Sequence, residues 1–80
     1  MNLESLTSFI VKNLVSDPEN VSVKQIEDED LITVEVLVSS DDMGKVIGKH
    51  GIIAKAIRTI VSASSSLNHE RKVRVNIDSF

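Results

Sequence analysis

The apolar positions near the start of the chain follow helical spacing. They recur at steps of three and four residues, which predicts an amphipathic helix over residues 3–15. The stripe consists of Leu3, Leu6, Ile10 and Leu14, widened by Phe9, Val11 and Val15. Asp17-Pro18-Glu19-Asn20 follows, and because proline cannot continue a helix, this segment predicts a turn.

Two runs of β-branched residues come after this turn and alternate with polar residues. The alternating apolar residues are Val21, Val23, Ile32, Val34, Val36 and Val38. They predict a β-hairpin with one buried face. Glu27-Asp28-Glu29-Asp30 separates the runs, and we expect a solvated turn there rather than a metal site, since no second group of ligands accompanies it.

The second half begins with a short helix, an interruption by glycines and a longer helix. Residues 39–42 offer hydroxyl and carboxylate N-caps for a helix over residues 43–47. Residues 52–63 contain no glycine or proline and predict the second long helix. Its predicted buried face carries Ile53, Ile57, Ile60 and Val61.

The chain ends with a predicted polar loop and a strand. The loop covers residues 64–70, and His69 has no predicted role in it. Val73, Val75 and Ile77 then alternate with polar residues, which predicts the final strand.

This order of elements, α-β-β-α-α-β, predicts an α+β fold in two layers. The helices must cover one face of a three-stranded sheet to bury their apolar stripes, leaving the other face open or covered by a partner. No internal repeat or linker is visible, so residues 1–80 are expected to form a single domain with a thin core.

Charge is unevenly distributed along the chain. The formal net charge is −3. Residues 1–40 carry eight acidic and two basic residues, whereas residues 41–80 carry seven basic and four acidic ones. A nucleic-acid binding face, if present, is therefore expected in the second half. Without a signal peptide or a run of about 20 apolar residues, the chain is expected to be cytoplasmic.

The segment between the two middle helices carries the candidate chemistry. Gly48 and Gly51 flank Lys49 and His50, so the backbone can turn tightly and expose N–H groups to a phosphate. The next helix directs its N-terminus toward the same place, which favours an anion.

Basic and apolar residues surround this loop. Lys45, Lys49, Lys55 and Arg58 are four bases within fourteen residues that contain no acid. His50 adds a positive charge when it is protonated. Ile47 and Ile52 flank the loop and are expected to form an apolar groove for bases. This arrangement favours single-stranded over duplex nucleic acid.

No catalytic constellation accompanies these residues. A P-loop has a glycine, four residues of any kind and then Gly-Lys-Ser/Thr, whereas here only three residues separate Gly44 from Gly48, and Lys49 is followed by His50. The chain has no cysteine and no pair of histidines at metal-binding spacing. We therefore expect no enzyme, cofactor or metal. Only Phe9 and Phe80 are aromatic, so an aromatic stacking platform is not expected either.

Val46-Ile47-Gly48-Lys49-His50-Gly51, followed by Ile53 and Ile57, resembles the GXXG loop and flanking helices of KH domains. The predicted order of elements resembles the bacterial, type II arrangement. The likeness extends to residues 9–15 before the proline and to residues 55–59. It covers nearly the whole chain and resembles the small single-KH proteins of the KhpA family.

The resemblance implies binding of about four nucleotides of single-stranded RNA at the loop. It also implies an RNA chaperone or post-transcriptional regulator linked to cell-envelope growth and cell shape. The implied partners are a second copy or a larger KH-containing protein, KhpB (also called Jag). One departure is Ile52, because the family often has a basic residue there, and the isoleucine removes a phosphate contact.

An alternative is a KH scaffold used for protein interaction, with little RNA affinity of its own. Ile52, Ala56 and Ala63 extend the apolar surface of the second long helix beyond its core stripe. Small alanines allow close helix approach, which suits dimerisation. A broad core face explains the same residues equally well.

Overall fold

The structure is a computed structural model that describes residues 2–68 and 71–80. Within these residues the order of elements confirms the predicted α-β-β-α-α-β sequence. The helices are α1 (Leu3–Leu14), α2 (Met43–Ile47) and α3 (Ile52–Asn68). The strands are β1 (Ser22–Glu27), β2 (Leu31–Val38) and β3 (Lys72–Ser79). Short 3-10 turns lie at Pro18–Asn20, Ser40–Asp42 and Lys49–Gly51.

The described strands form one sheet in the order β1-β2-β3. β1 and β2 are antiparallel, and Gln25 lies opposite Val34. β2 and β3 are parallel, and Val34 lies opposite Val75. A parallel pair needs a long crossover, and here α2 and α3 supply it. The α+β fold class is therefore confirmed.

The helices cover one face of the sheet, as predicted. The central strand β2 directs alternate residues into the core, where Ile32, Val34, Val36 and Val38 are buried. Helix residues Val11, Val46, Ile57 and Val61 pack against them. Burying each such side chain contributes about 1.5–3 kcal/mol. On the opposite face Lys24 and Glu35, which pair across β1 and β2, are exposed.

The buried stripe of α1 differs from the predicted one. Its buried residues are Leu3, Thr7 and Val11, and Phe9 is 62% exposed. The expectation that Phe9 widens the buried stripe was therefore wrong. Thr7 can lie in the stripe because its hydroxyl donates a hydrogen bond of 2.7 Å to the Leu3 carbonyl.

Helix α3 extends beyond its predicted end. It continues to Asn68, so the predicted loop is wrong for residues 64–68, while His69 and Glu70 lie outside the described residues. The added turn packs against the rest of the domain, since buried Ser65 continues the helical spacing of Ala54, Ile57 and Val61. No helix in the described parts of the chain is long and apolar enough to cross a membrane.

Ile60 does not lie on the buried face of α3 as predicted. It is 48% exposed, whereas Ile57 and Val61 on either side are buried. At about 100° per residue, the stripe through Ile57 and Val61 leaves Ile60 on the flank. The exposed side of α3 therefore carries more apolar surface than the sequence pattern predicts.

Candidate nucleic-acid interface

The loop between α2 and α3 has an unusual backbone. Gly48, His50 and Gly51 have φ angles of 75°, 59° and 76°. In the described residues His50 is the one non-glycine residue with positive φ. This conformation is costly for an L-residue, and such residues cluster at functional sites. The loop is therefore the leading candidate for a binding site.

Gly48 is required at its position for two reasons. Its φ of 75° and ψ of 172° form a combination that only glycine adopts readily. A Cβ atom there would also lie 2.6 Å from Ile53 Cγ1. Gly51 has positive φ, but a Cβ atom there would meet nothing within 4 Å. Gly48 thus permits close packing against the start of α3, whereas Gly51 is needed for its conformation.

The loop closes with a few backbone hydrogen bonds. The Gly48 N–H donates to the Gly44 carbonyl at 2.9 Å, and the Gly51 N–H donates to the Gly48 carbonyl at 3.1 Å. The Ile52 N–H donates to the Lys49 carbonyl. None of these bonds uses the N–H of Lys49 or His50, and both side chains are exposed. The tip thus presents two basic side chains beside the N-terminus of α3, where an anion is favoured.

Lys45 is placed differently from the basic residues at the loop tip. Its ammonium group lies 3.4 Å from Asp42 Oδ1 and also contacts the Ser16 hydroxyl. The side chain therefore lies against the connection between α1 and β1. Although the sequence grouped Lys45 with Lys49, Lys45 already has a carboxylate partner.

Asp42 is a residue whose role was missed by sequence reasoning. We expected residues 39–42 to cap α2, but Asp42 makes no side-chain capping bond to that helix. Its buried carboxylate instead accepts hydrogen bonds from the backbone N–H groups of Ser16 at 3.0 Å and Asp17 at 3.1 Å. The Ser16 bond is the largest cause that lowers the pKa of Asp42; burial opposes it, while Asp17 and Lys45 add to it.

The remaining predicted site residues lie on or beside α3. Ile52, Lys55 and Arg58 are exposed and spaced by three residues, so they follow one side of the helix. Ile47, at the end of α2, is half-buried and packs against the core. Arg58 also donates from Nε to the Val75 carbonyl at 3.2 Å, which ties α3 to β3.

Two helices joined by a GXXG loop and packed on a three-stranded sheet with one parallel pair define a KH domain. The sequence of this chain agrees with that class over nearly its full length. A model of the KhpA/KhpB KH domain matches residues 4–77. The chain therefore belongs to the KhpA/KhpB family of KH-domain proteins.

Individual relatives support this assignment. The chain is 48% identical to the RNA-binding protein KhpA of Clostridium perfringens, and the match covers 94% of this chain and 99% of the relative. It is also 48% identical to the RNA-binding protein KhpA of Listeria monocytogenes, over 94% of this chain and 97% of the relative. Both relatives are named as RNA-binding proteins, and membership of this non-enzymatic KH-domain family confirms the expectation that the chain is not an enzyme.

A solved structure has the same fold. Era, in complex with MgGDPNP and nucleotides 1506–1542 of 16S ribosomal RNA, matches with a TM-score of 0.65 and 22% identity. The match covers 99% of this chain but 31% of the Era chain. This chain therefore resembles one part of that larger protein in fold.

Proposed function

We propose that this chain binds single-stranded RNA by holding the sugar-phosphate backbone at residues 48–51. The observation that carries the proposal is the loop geometry, in which three residues with positive φ expose Lys49 and His50 at the N-terminus of α3. A phosphate suits this position because it can meet backbone N–H groups and a full positive charge together. The names of the relatives support RNA as the ligand.

The bases would lie beside the loop, on the surface that continues along α3. Ile47 and Ile52 offer apolar surface on either side of the loop, and Lys55 and Arg58 lie further along the helix. Bases can rest on apolar surface only when they are unpaired, so a single strand fits better than a duplex. Lys45 would contribute less than Lys49, because Asp42 already holds it.

Residues 1–80 would act as one KH domain that contacts about four nucleotides. Backbone contacts carry little sequence information, so many RNAs would be bound. This suits an RNA chaperone or post-transcriptional regulator, with the link to cell-envelope growth and cell shape that the family resemblance implies. Ile52 replaces an often basic residue and would weaken the hold on phosphate. A cytoplasmic location stays a prediction.

A second KH chain is the proposed protein partner. Ile52, Ala56 and Ile60 are exposed at steps of four residues and form an apolar stripe along α3. Ala63, which was predicted to extend this surface, is also exposed. The partner would be another copy of this chain or a larger KH-containing protein of the KhpB (Jag) type. If RNA affinity is negligible, the stripe makes the chain an interaction module instead.

Amide NMR of the labelled protein, titrated with a single-stranded RNA octamer, tests the RNA site. We expect the largest shift changes at residues 48–51 and at the start of α3, and little change along β1. β1 serves as the internal control because it lies at the opposite edge of the sheet from β3. An absence of change in the loop, with the protein folded, would contradict the proposed clamp.

A further inference from the structure

Arg58 is held in one orientation at the edge of the sheet. β3 is an edge strand, because the strand order is β1-β2-β3. The Phe80 N–H donates to the Val38 carbonyl, so even-numbered residues of this segment direct their backbone groups toward β2. Backbone groups alternate along a strand, and those of Val75 therefore point away from β2. Arg58 Nε donates to this outward carbonyl at 3.2 Å.

This hydrogen bond leaves the rest of the guanidinium group available. A guanidinium has five N–H donors in a rigid plane, and four of them lie on Nη1 and Nη2. In the parts of the chain that the structure describes, the Val75 carbonyl is the hydrogen-bond partner of Arg58, and no carboxylate forms an ion pair with it. Arg58 is thus a fixed but uncompensated positive charge.

Arg71 shows the contrast. Its Nη1 donates to the Asp28 carbonyl at 2.8 Å, and its Nη2 donates to Glu27 Oε1 at 2.8 Å. Residues of the β1–β2 hairpin therefore occupy both terminal nitrogens of the Arg71 guanidinium group. Arg71 has a structural role, whereas Nη1 and Nη2 of Arg58 remain available to a ligand.

The position of Arg58 suits a base rather than the phosphate held at the loop. Arg58 lies six residues after Ile52, which is about 9 Å along the helix axis. Half-buried Val73 and Ile77 flank Val75 on the helix side of β3 and provide apolar surface beside the fork. An RNA strand that is held at the loop and runs along α3 would bring a base to the junction between α3 and β3.

We propose that Arg58 is a specificity-determining residue that recognises guanine in the RNA held at the loop. With Nε anchored, Nη1 and Nη2 can donate side by side to O6 and N7 of guanine. Adenine offers an amino donor beside N7, and arginine has no acceptor to meet it. The inference rests on the proposed function and adds a base preference to it.

The test compares an RNA octamer of alternating guanosine and uridine with the same octamer carrying 7-deazaguanosine, which lacks N7. We expect the wild-type chain to bind the guanosine octamer roughly 2- to 12-fold more tightly, because 7-deazaguanosine keeps O6 and loses one of the two hydrogen bonds. Arg58→Met keeps a long side chain but has no hydrogen-bond donor, and we expect it to bind the two octamers equally. Arg71→Met is the matched control and should keep the full preference.

Equal binding of both octamers by the wild-type chain would overturn the inference, as would a preference that survives in folded Arg58→Met. If the loop variant Lys49→Asp, His50→Asp still abolishes binding in that case, the proposed RNA function stands without it. Absence of any RNA binding would overturn both. Guanosine monophosphate should not displace the octamer at matched concentration, and displacement would overturn recognition of the base within RNA.

Discussion

The carboxylate of Asp42 accepts a hydrogen bond of 3.0 Å from the backbone N–H of Ser16, which lies 26 residues earlier. Asp42 immediately precedes α2, and α2 leads directly into the loop at residues 48–51. The bond therefore fixes the start of the helix that positions the loop. Lys45 joins the same cluster and neutralises part of its charge.

Replacing Asp42 with asparagine should lower the stability of the chain and loosen α2 and the loop that follows it. The amide oxygen can accept one of the two backbone N–H groups, but the amide nitrogen then faces the other donor. We expect a lower Tm by thermal denaturation and faster hydrogen exchange in residues 43–51. Unchanged exchange in α2 would show that Asp42 does not position the loop.

The same carboxylate should give the stability of the chain a pH dependence. The pKa of Asp42 lies below its ordinary value of 3.8 in the folded chain, chiefly because the Ser16 N–H stabilises the ionised form. Its contribution is therefore complete above about pH 5, where the carboxyl is ionised in both states, and is lost as pH falls through the folded-state pKa. Urea unfolding at several pH values should show a shallower loss of stability at acidic pH in Asp42→Asn than in the wild type. Identical slopes would contradict this.

The two loop glycines should respond differently to alanine. Gly51→Ala places a side chain at positive φ in open space, which costs about 1–2 kcal/mol. Gly48→Ala places a side chain at φ 75° and ψ 172°, which essentially only glycine adopts, and adds a contact of 2.6 Å with Ile53 Cγ1, so it should cost about 1–3 kcal/mol more. Urea unfolding of both variants measures the difference. Equal costs would contradict the special requirement for glycine at position 48.

The two lysines near the loop should differ in the salt dependence of RNA binding. Lys49 is exposed at the tip, whereas Lys45 is paired with Asp42. Lys49→Ala should reduce the slope of log K against log salt by about 0.7, the value for one phosphate contact on a single strand. Lys45→Ala should leave the slope nearly unchanged. Equal reductions would place Lys45 on the RNA.

Self-association, if it uses α3, should depend on Ile60. Ile60 is 48% exposed and Ile26, on β1, is 49% exposed, so a substitution of Ile26 serves as the control for the same substitution of Ile60. Ile60→Asp should yield a monomer in sedimentation equilibrium, while Ile26→Asp should leave the mass unchanged. If the wild-type chain is already monomeric, a different KH chain remains the candidate partner. If both variants dissociate, α3 is not the surface through which the copies associate.

Periodic patterns predicted most of the fold. Alternation placed Ile32, Val34, Val36 and Val38 on the buried face of β2, and the structure confirms this. The proline after Asp17 marked the end of α1 correctly. Such local signals work because burial of one face sets the period of apolar residues along the element. Gly48 and Gly51 were identifiable for a different local reason, because glycine has no Cβ atom and tolerates positive φ in a tight turn.

The missed features depend on contacts between distant segments. Asp42 looked like a helix cap, because nothing near it in sequence indicates Ser16 and Asp17 as partners. Ser65 looked like part of a loop, although packing makes it a buried helical position. The bond from Arg58 to Val75 was equally invisible, since it needs α3 and β3 to be in contact.

The most direct test is fluorescence anisotropy of a labelled single-stranded RNA with the wild-type chain and with the double variant Lys49→Asp, His50→Asp, at low and moderate salt. Both substitutions lie at the exposed loop tip and should leave the fold intact, which circular dichroism checks. We predict that the wild type binds with an affinity that falls as salt rises, and that the variant does not bind. Equal binding by both proteins would contradict the proposed clamp.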